Sequence, residues 1–297
     1  MKRKVLAVGI ILLFIGTGII PTIAQDTEKS SLPTSSGNWL YVGGSGPGNY
    51  TEIQDAIDNA SNGDTIFVYS GIYYENIVVN SSINIIGENR DNTVIESKNK
   101  SPRNDTLSIY ANYVNISGFT FQNSPRCGIF LGSRHVIITN NIFLNNSHGI
   151  HFYYLSKDYV YISNNIFSNN FCGIYLVQSK NNTISENNII NNDYGIRIDD
   201  SVNNTILNNN IQSNIQYGIL FSVTSNGNHI YKNNFINNTK SAYFRLLSHQ
   251  NKWDGNFWDE PRDKPVIIYG SIGLVFIPWI NIDWHPAQKP YDIPGMR

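Results

Sequence analysis

The chain has 297 residues, of which only 14% are charged, and its formal net charge at pH 7 is −1. This charged fraction lies well below the usual quarter, so the polar surface consists mostly of amide and hydroxyl groups. Because no basic stripe is present to neutralise phosphates, the composition argues against nucleic-acid binding.

The first 24 residues have the layout of a secretory signal peptide. Residues 2–4 are basic, residues 5–20 form an apolar run of 16, and residues 22–24 make a small-residue cleavage site. The run is shorter than the roughly 20 residues that a membrane-spanning helix needs. We therefore expect a cleaved leader and a secreted or cell-surface protein, whose one link to a membrane would be a leader that stays uncleaved.

The segment after the leader predicts a flexible entry followed by a short helix. Residues 25–48 are rich in Ser, Gly and Pro, and residues 51–54 have a capping-box pattern. Apolar residues then follow at the spacing of one helix face: Ile53, Ala56, Ile57 and Ala60. We expect this helix to end at Asn62-Gly63 and to cap the open end of a stack of strands.

Residues 49–250 contain an internal repeat. Each unit has an isoleucine-led strand, an asparagine turn and a strand that starts at a glycine, and the glycines recur every 21 to 24 residues. These glycines are Gly128, Gly149, Gly173, Gly195 and Gly218. Such a period indicates stacked units, and the alternation of apolar and polar residues is typical of strands with one buried face. The sequence predicts an all-β solenoid in which each repeat forms one coil.

Equal positions of successive coils should stack about 4.8 Å apart. One column consists of isoleucine: Ile116, Ile138, Ile162, Ile184, Ile206 and Ile230. Two columns consist of asparagine: Asn141, Asn165, Asn187, Asn209 and Asn233, and again Asn146, Asn170, Asn192, Asn214 and Asn238. A side-chain amide both donates and accepts, so we expect hydrogen-bonded chains of amides along the stack.

These coils resemble the repeats of NosD-like proteins, within the pectin-lyase-like superfamily of right-handed β-helices. The resemblance extends from about residue 49 to residue 251 and implies a right-handed single-stranded parallel β-helix. It implies no single activity, because such scaffolds host lyases, hydrolases, esterases and non-enzymes. The opening coils also resemble pectin methylesterases, but the "DFIFG"-like and "GRPW" segments that carry catalysis in that family are missing from the body of this chain.

Residues 251–297 depart from the repeat and hold four of the five tryptophans. These are Trp253, Trp258, Trp279 and Trp284. The segments "WDGNFWDE" and "IPWINIDWHPAQKPYDIPG" resemble the closing segment of NosD-like surface proteins from archaea. We expect an aromatic-rich C-terminal cap on the last coil. The alternative is an aromatic patch that binds a sugar or a partner.

Cys127 and Cys172 each precede a repeat glycine, and His148 lies between them in the same column. Two coils separate the cysteines by about 9.6 Å, beyond the roughly 7 Å that a disulfide allows between Cα atoms. We therefore expect free thiols. The three side chains are also the candidate ligands for copper or zinc, and the NosD name is associated with the maturation of a copper enzyme. We favour no metal, because Tyr194 continues the column and because His148 and His151 should point to opposite faces.

Asp199 and Asp200 resemble the paired aspartates of polygalacturonases. Glycoside hydrolysis needs two carboxyl groups about 5 to 9.5 Å apart, and the equivalent positions of the neighbouring coils carry neither a further acid nor a histidine. We favour a pair that forms a turn. A lyase would need calcium-binding acids and a base on one face, and Arg197 beside Asp199 is the nearest approach to that arrangement.

One further column should face away from the core. Its members are Phe130, His151, Tyr175, Arg197, Leu220 and Tyr243, with Tyr153 and Tyr154 nearby. An exposed aromatic ladder could stack along an extended sugar chain, although the strand propensity of aromatic residues would also place them there.

The sequence leads to three hypotheses of function. The first is a non-catalytic protein that binds extracellular polysaccharide or envelope glycan without a cofactor. The alternative is a polysaccharide lyase, with Ca²⁺ as its cofactor, or a glycoside hydrolase, built around Arg197, Asp199 and Asp200. A role of the NosD type in copper-enzyme maturation comes third.

Overall fold

A computed structural model of the chain describes residues 37–98, 101, 104–152, 159–273 and 277–293. The predicted leader and the first part of the predicted entry, residues 1–36, lie outside these ranges. Within the described part of the chain, no helix has both the length and the apolar character that a membrane crossing requires.

The strands form three parallel ladders, and most coils contribute one strand to each of them. The first ladder contains β1 (Trp39–Val42), β2 (Thr65–Val68), β5 (Asn84–Gly87), β8 (Asn115–Ser117), β11 (Ile137–Thr139), β14 (Tyr161–Ser163), β17 (Thr183–Ser185), β20 (Thr205–Leu207), β23 (His229–Tyr231) and β26 (Lys252–Asp254). The second contains β3 (Gly71–Tyr74), β6 (Thr93–Glu96), β9 (Thr120–Gln122), β12 (Ile142–Leu144), β15 (Ile166–Ser168), β18 (Asn188–Ile190), β21 (Asn210–Gln212), β24 (Asn234–Ile236) and β27 (Phe257–Trp258). The third contains β4 (Ile77–Val79), β7 (Leu107–Ile109), β10 (Cys127–Leu131), β13 (His148–Phe152), β16 (Cys172–Val177), β19 (Tyr194–Asp199), β22 (Tyr217–Ser222) and β25 (Ala242–Phe244).

The register of the ladders confirms the predicted columns. Ile138 pairs with Ile116 on one side and with Ile162 on the other, and the isoleucine column continues in this way to Ile230. The fold is therefore an all-β parallel solenoid of about ten coils, as the repeat predicts.

The core lies inside the three ladders and consists of stacked apolar side chains. In the second ladder, Phe121, Phe143 and Phe167 follow one another with ring centroids 5.3 and 4.7 Å apart, and all three are fully buried. Each such side chain contributes roughly 1.5 to 3 kcal/mol of burial. Because every coil repeats this contribution, the solenoid is stabilised along its length.

The asparagine columns form the predicted hydrogen-bonded chains at the tight turns. The amide oxygen of Asn187 accepts from the backbone N–H of Asn165 (3.0 Å) and from its Nδ2 (3.1 Å). Asn187 in turn donates to Asn209 (3.0 Å). Two further columns were not predicted: Asn182, Asn204, Asn228 and Asn251, and Ser179, Ser201, Ser225 and Ser248.

The predicted helix is present as α1 (Ile53–Asp58), but the predicted capping box is wrong. The N-cap residue is Glu52, whose side chain makes no capping hydrogen bond. The carboxylate of Glu75 instead accepts from the backbone N–H groups of Ile53 (2.8 Å) and Gln54 (2.9 Å). A carboxylate from another coil thus supplies two acceptors at the helix N-terminus, where a negative charge is favourable. The helix also ends before the predicted Asn62-Gly63.

The C-terminal segment begins by continuing the solenoid. Trp253 lies in β26 and Trp258 in β27, and both are buried, with the Trp258 ring stacked 4.5 Å from Phe235. The chain then forms an antiparallel hairpin from β28 (Val266–Ile272) and β29 (Ile277–Asp283). Trp279 and Trp284 are exposed on and after this hairpin.

Candidate functional site

The predicted outward column follows the register of the third ladder. Phe130, His151, Tyr175, Arg197, Leu220 and Tyr243 are successive strand partners. They alternate with core residues such as Ile150 and Phe152, so they face away from the core. We call the outer surface of the third ladder from β10 to β25 the site face. Tyr153 and Tyr154 lie outside the described residues.

The site face is not the continuous exposed ladder that the sequence predicts. Phe130 and Leu220 are only 4% and 3% exposed. The His151 ring lies 4.9 Å from the Tyr175 ring at an interplanar angle of 11°, and the guanidinium carbon of Arg197 lies 4.7 Å from the centre of the Tyr175 ring. The strand spacing is close to the stacking distance of rings. Neighbouring side chains therefore cover the faces of these rings, and the ring edges and polar groups point outward.

The corner column of Cys127, His148 and Cys172 also turns towards the site face. The rings of His148 and His151 are stacked with centroids 5.1 Å apart, so the prediction that they point to opposite faces is wrong. The reason is Gly149: both Gly149 and Ile150 are buried, which interrupts the simple alternation of β13. A Cβ atom at Gly149 would lie 2.5 Å from the carbonyl oxygen of Gly173, so only glycine permits this corner.

Two buried carboxylates hold the arginines of the site face. Asp199 accepts from Nη2 of Arg197 (2.6 Å) and from the hydroxyl of Tyr175 (2.7 Å). Asp105 accepts from Nη1 of Arg126 (2.6 Å), whose guanidinium carbon lies 4.8 Å from the Phe130 ring centre. The side chains of Arg126 and Arg197 are 33% and 28% exposed, whereas those of Asp105 and Asp199 are 5% and 11% exposed. The acids thus orient guanidinium groups that solvent can still reach.

Burial sets the protonation of the groups between the two arginines. It lowers the pKa of His148 and of His151 to about 4, and the nearby guanidinium groups of Arg126 and Arg197 act in the same direction. Burial also raises the pKa of Cys172 to about 12 and that of Cys127 well above its usual value. At neutral pH the site face therefore carries neutral imidazoles and neutral thiols.

The two candidate catalytic aspartates have different surroundings. Asp199 is occupied by Arg197 and Tyr175, whereas Asp200 has a positive φ of 47° in the turn after β19. Asp200 accepts hydrogen bonds from Gln178 and from the hydroxyl of Thr224. Its contacts are those of a turn residue.

The sequence missed several residues of the site face. Arg126 and Asp105 form its second ion pair. The rings of Tyr194 and Tyr217 are stacked at 5.9 Å in its C-terminal half, and the Tyr217 ring also contacts the predicted Tyr243 at 5.7 Å. The spacing of the repeat does place Tyr194 and Tyr217 in the same column as His148. It does not predict that this column lies close to the outward column, because that proximity depends on how the chain bends at the glycines.

The donor set does not fit a copper site. Copper and zinc sites in proteins are built from converging thiolate, imidazole and carboxylate ligands. Nδ1 of His151 lies 3.7 Å from Sγ of Cys127, but Sγ of Cys172 is directed to the carbonyl oxygen of Ile174 (3.4 Å). Across the described ranges, no group of three or more His, Cys, Asp and Glu side chains is placed to hold a metal ion. Both cysteines are free and buried.

The comparison with solved structures gives matches of low sequence identity. They include the A-module of the mannuronan C-5 epimerase AlgE4 of Azotobacter vinelandii (13% identity, 74% of this chain, 83% of that chain, TM-score 0.39). An alginate lyase from Paenibacillus sp. str. FPU-7 is 14% identical over 73% of this chain and 95% of that chain, with a TM-score of 0.38. At these values the similarity carries no argument about activity. No curated protein matches the chain at a significant level.

A protein-family comparison gives a match over most of the chain. The matching family is described as "Periplasmic copper-binding protein (NosD)", and the match covers residues 57–263. This range contains all of the coils that carry the site face. The chain therefore belongs to the NosD family.

Proposed function

We propose that this NosD-family protein binds extracellular polysaccharide or envelope glycan through the site face, without catalysis. The observation that carries the proposal is the register of His151, Tyr175 and Arg197, which are paired one above another on three consecutive coils. A linear polymer can meet successive coils with the same geometry, because equal positions repeat at the strand spacing.

The contacts of the site face favour recognition by hydrogen bonds over ring stacking. The ring faces of His151 and Tyr175 are covered by their neighbours. Neutral imidazole and guanidinium N–H groups are donors that suit the hydroxyl and acidic oxygens of sugars. Arg197 is already held by Asp199 and Tyr175, so little side-chain entropy is lost when a ligand binds.

The family description as periplasmic and the predicted leader both support a protein that meets its ligand outside the cytoplasm. A specific observation also keeps the lyase hypothesis as a second candidate, because the neutral imidazole of His151 lies beside Tyr175 and Arg197. A hydrolase is less well supported, since the carboxylate of Asp199 is committed to an ion pair. Copper-enzyme maturation is supported by the family description alone.

The test is binding to a glycan array, followed by calorimetry with the polysaccharides that bind. We expect His151→Ala and Tyr175→Ala to weaken binding about tenfold, which corresponds to the loss of one or two contacts. Tyr161→Ala is the matched control, because Tyr161 is an exposed tyrosine on the outer side of the first ladder. Equal binding by all three variants and the unmodified protein would show that the site face is not the binding surface.

The same polysaccharides separate binding from catalysis. Acidic and neutral polymers are incubated with the protein, with and without Ca²⁺, and the release of shortened or unsaturated products is measured. We expect none. Turnover that disappears in His151→Ala would replace the binding proposal by the lyase.

A further inference from the structure

We propose that the ligand of the site face is an acidic polysaccharide, and that the His148–His151 pair takes up a proton when an anionic group binds beside it. This inference rests on the proposed function and specifies the class of glycan. It is carried by the arrangement of charges along the third ladder.

Cationic side chains recur along the site face. Arg126 precedes β10 and Arg197 lies in β19, three coils further on, so the two are about 14 Å apart along the axis. Lys240 and Arg245 flank β25, two coils beyond β19. Charges that are spread over six coils match the repeated charges of a linear polymer better than a single small anion.

The two cations at the C-terminal end are available to a ligand. The ammonium group of Lys240 lies 5.4 and 5.2 Å from the ring centres of Tyr217 and Tyr243, and Nε of Arg245 donates to the hydroxyl of Ser222. Among the residues that the structure describes, neither cation is within ion-pair distance of a carboxylate. Lys240 is exposed to solvent.

At neutral pH the positive charge of the site face is small. Asp105 and Asp199 each neutralise one arginine, and Asp193 lies half-buried at the edge of the face, next to Tyr194. The four cations thus exceed these three carboxylates by one. The proton that the His148–His151 pair takes up would raise the excess to two, so the pair affects how strongly a polyanion is attracted.

The surroundings of the pair explain why it is neutral without a ligand and why an anion would change that. The stacked rings are partly buried between Cys127 on the preceding coil and Tyr175 on the following coil. Arg126 lies on one side of the pair and Arg197 on the other. A proton on either ring is opposed by burial and by both guanidinium groups, which keep the pKa of each histidine at about 4. An anion that binds beside the rings would stabilise the imidazolium form.

Among the other titratable groups that face the pair, one could also take up a proton on acidification. The thiols of Cys127 and Cys172 and the hydroxyl of Tyr175 have raised pKa values, so they stay protonated under mildly acidic conditions. Asp199 is bound to Arg197. Asp105 remains, because burial raises the pKa of its carboxyl group. Asp105→Asn is therefore included in the test.

The coupling between proton uptake and ligand binding determines whether the affinity rises or falls with pH. A ligand that raises the pKa of a histidine binds most tightly below the pKa of the free protein, and this gain is lost as the pH rises through the pKa of the complex. Between these two values the affinity changes by up to tenfold per pH unit for each proton taken up. Binding should therefore strengthen as the pH falls below the pKa of the complex towards about 4, the pKa of the two histidines in the free protein.

The probe is dextran sulfate, because its sulfate esters stay ionised throughout this range and its own charge does not change. Unsubstituted dextran and oligothymidylate are the comparison ligands. Calorimetry of the unmodified protein should show that dextran sulfate binds more tightly than dextran. Its affinity should increase at least tenfold on acidification, with net proton uptake seen as a dependence of the heat on the buffer.

Substitutions identify the residues that take up the proton. The double variant His148→Gln/His151→Gln should bind dextran sulfate more weakly at neutral pH, because His151 is a binding residue, and its affinity should not increase on acidification. Asp105→Asn should keep the increase. His135→Gln is the matched control, since His135 stacks on Tyr113 and Tyr159 outside the site face. Histidine NMR of the unmodified protein, with and without dextran sulfate, measures the same pKa change without a substitution.

The outcomes separate this inference from the proposed function. Equal affinity for dextran and dextran sulfate would overturn the acidic ligand class and leave glycan binding in place. A pH-independent affinity for dextran sulfate would overturn proton uptake by the histidine pair. Oligothymidylate binding as tightly as dextran sulfate would overturn selection of an acidic glycan. Binding to no glycan on the array would overturn the proposed function itself.

Discussion

The carboxylate of Asp283 closes the asparagine ladder by accepting two hydrogen bonds from Asn256, one from its backbone N–H and one from Nδ2, both at 3.0 Å. Asp283 occupies the place that the next asparagine of the column would take. A carboxylate only accepts hydrogen bonds, so it ends a chain in which every member donates to the next. Asp283 is fully buried and also accepts from Nε1 of Trp258 (3.0 Å).

Replacement of this terminal acceptor should destabilise the C-terminal end of the solenoid. Asp283→Ala leaves donors of Asn256 and Trp258 buried and unpaired, at about 1 to 3 kcal/mol for each group. We expect the free energy of unfolding, measured by urea denaturation, to fall by about 3 kcal/mol. Asp254→Ala, which removes an exposed carboxylate paired with His285, is the control and should change little. Equal losses in both variants would contradict the role of Asp283.

The cap of α1 predicts a contrast between two glutamates. Glu75→Ala removes the acceptor for the backbone N–H groups of Ile53 and Gln54, so we expect a loss of about 1 to 2 kcal/mol in the free energy of unfolding. Glu52→Ala, at the N-cap position of α1, removes no capping hydrogen bond and should be nearly neutral. Chemical denaturation of the two variants distinguishes them, and a larger loss of stability for Glu52→Ala than for Glu75→Ala would contradict the cap by Glu75.

The close packing at Gly149 predicts that adding a single methyl group there destabilises the protein. In Gly149→Ala the new Cβ would lie 2.5 Å from the Gly173 carbonyl oxygen and 2.7 Å from a ring carbon of Phe167, so the coils must shift apart. Overpacking of this kind costs about 1 to 3 kcal/mol. Gly71→Ala is the matched control, because its nearest neighbour, the Tyr73 ring, is 3.4 Å away. Thermal unfolding should show a lower Tm for Gly149→Ala only.

The histidine pair predicts how stability depends on pH in the absence of a ligand. The pKa of both histidines is lowered in the folded protein to about 4, whereas in the unfolded chain it is about 6.5. The unfolded state therefore binds more protons between these values, and the free energy of unfolding should fall as the pH drops through this window. Urea denaturation at several pH values measures the slope. The double variant His148→Gln/His151→Gln should have a smaller slope than His135→Gln, and equal slopes would contradict the assignment.

The sequence by itself determined the solenoid and its register. A parallel stack places equal positions of the repeat one above another, so the spacing of Ile138, Ile162 and Ile184 was sufficient to predict which residues are neighbours along the axis. The same logic predicted the asparagine ladders and the order of Cys127, His148 and Cys172 in one column. These features depend only on the period, which the glycines and isoleucines reveal.

The tertiary structure alone decided where side chains point and what lies opposite them from other coils. Alternation fails at Gly149, where close approach of the Gly173 backbone turns His148 onto the same face as His151. The partners of α1 and of Asn256 are carboxylates more than 20 residues away, on segments that the repeat does not describe. Such contacts depend on how the corners and ends of the solenoid pack against neighbouring coils. The spacing of the repeat in the sequence carries no information about that packing.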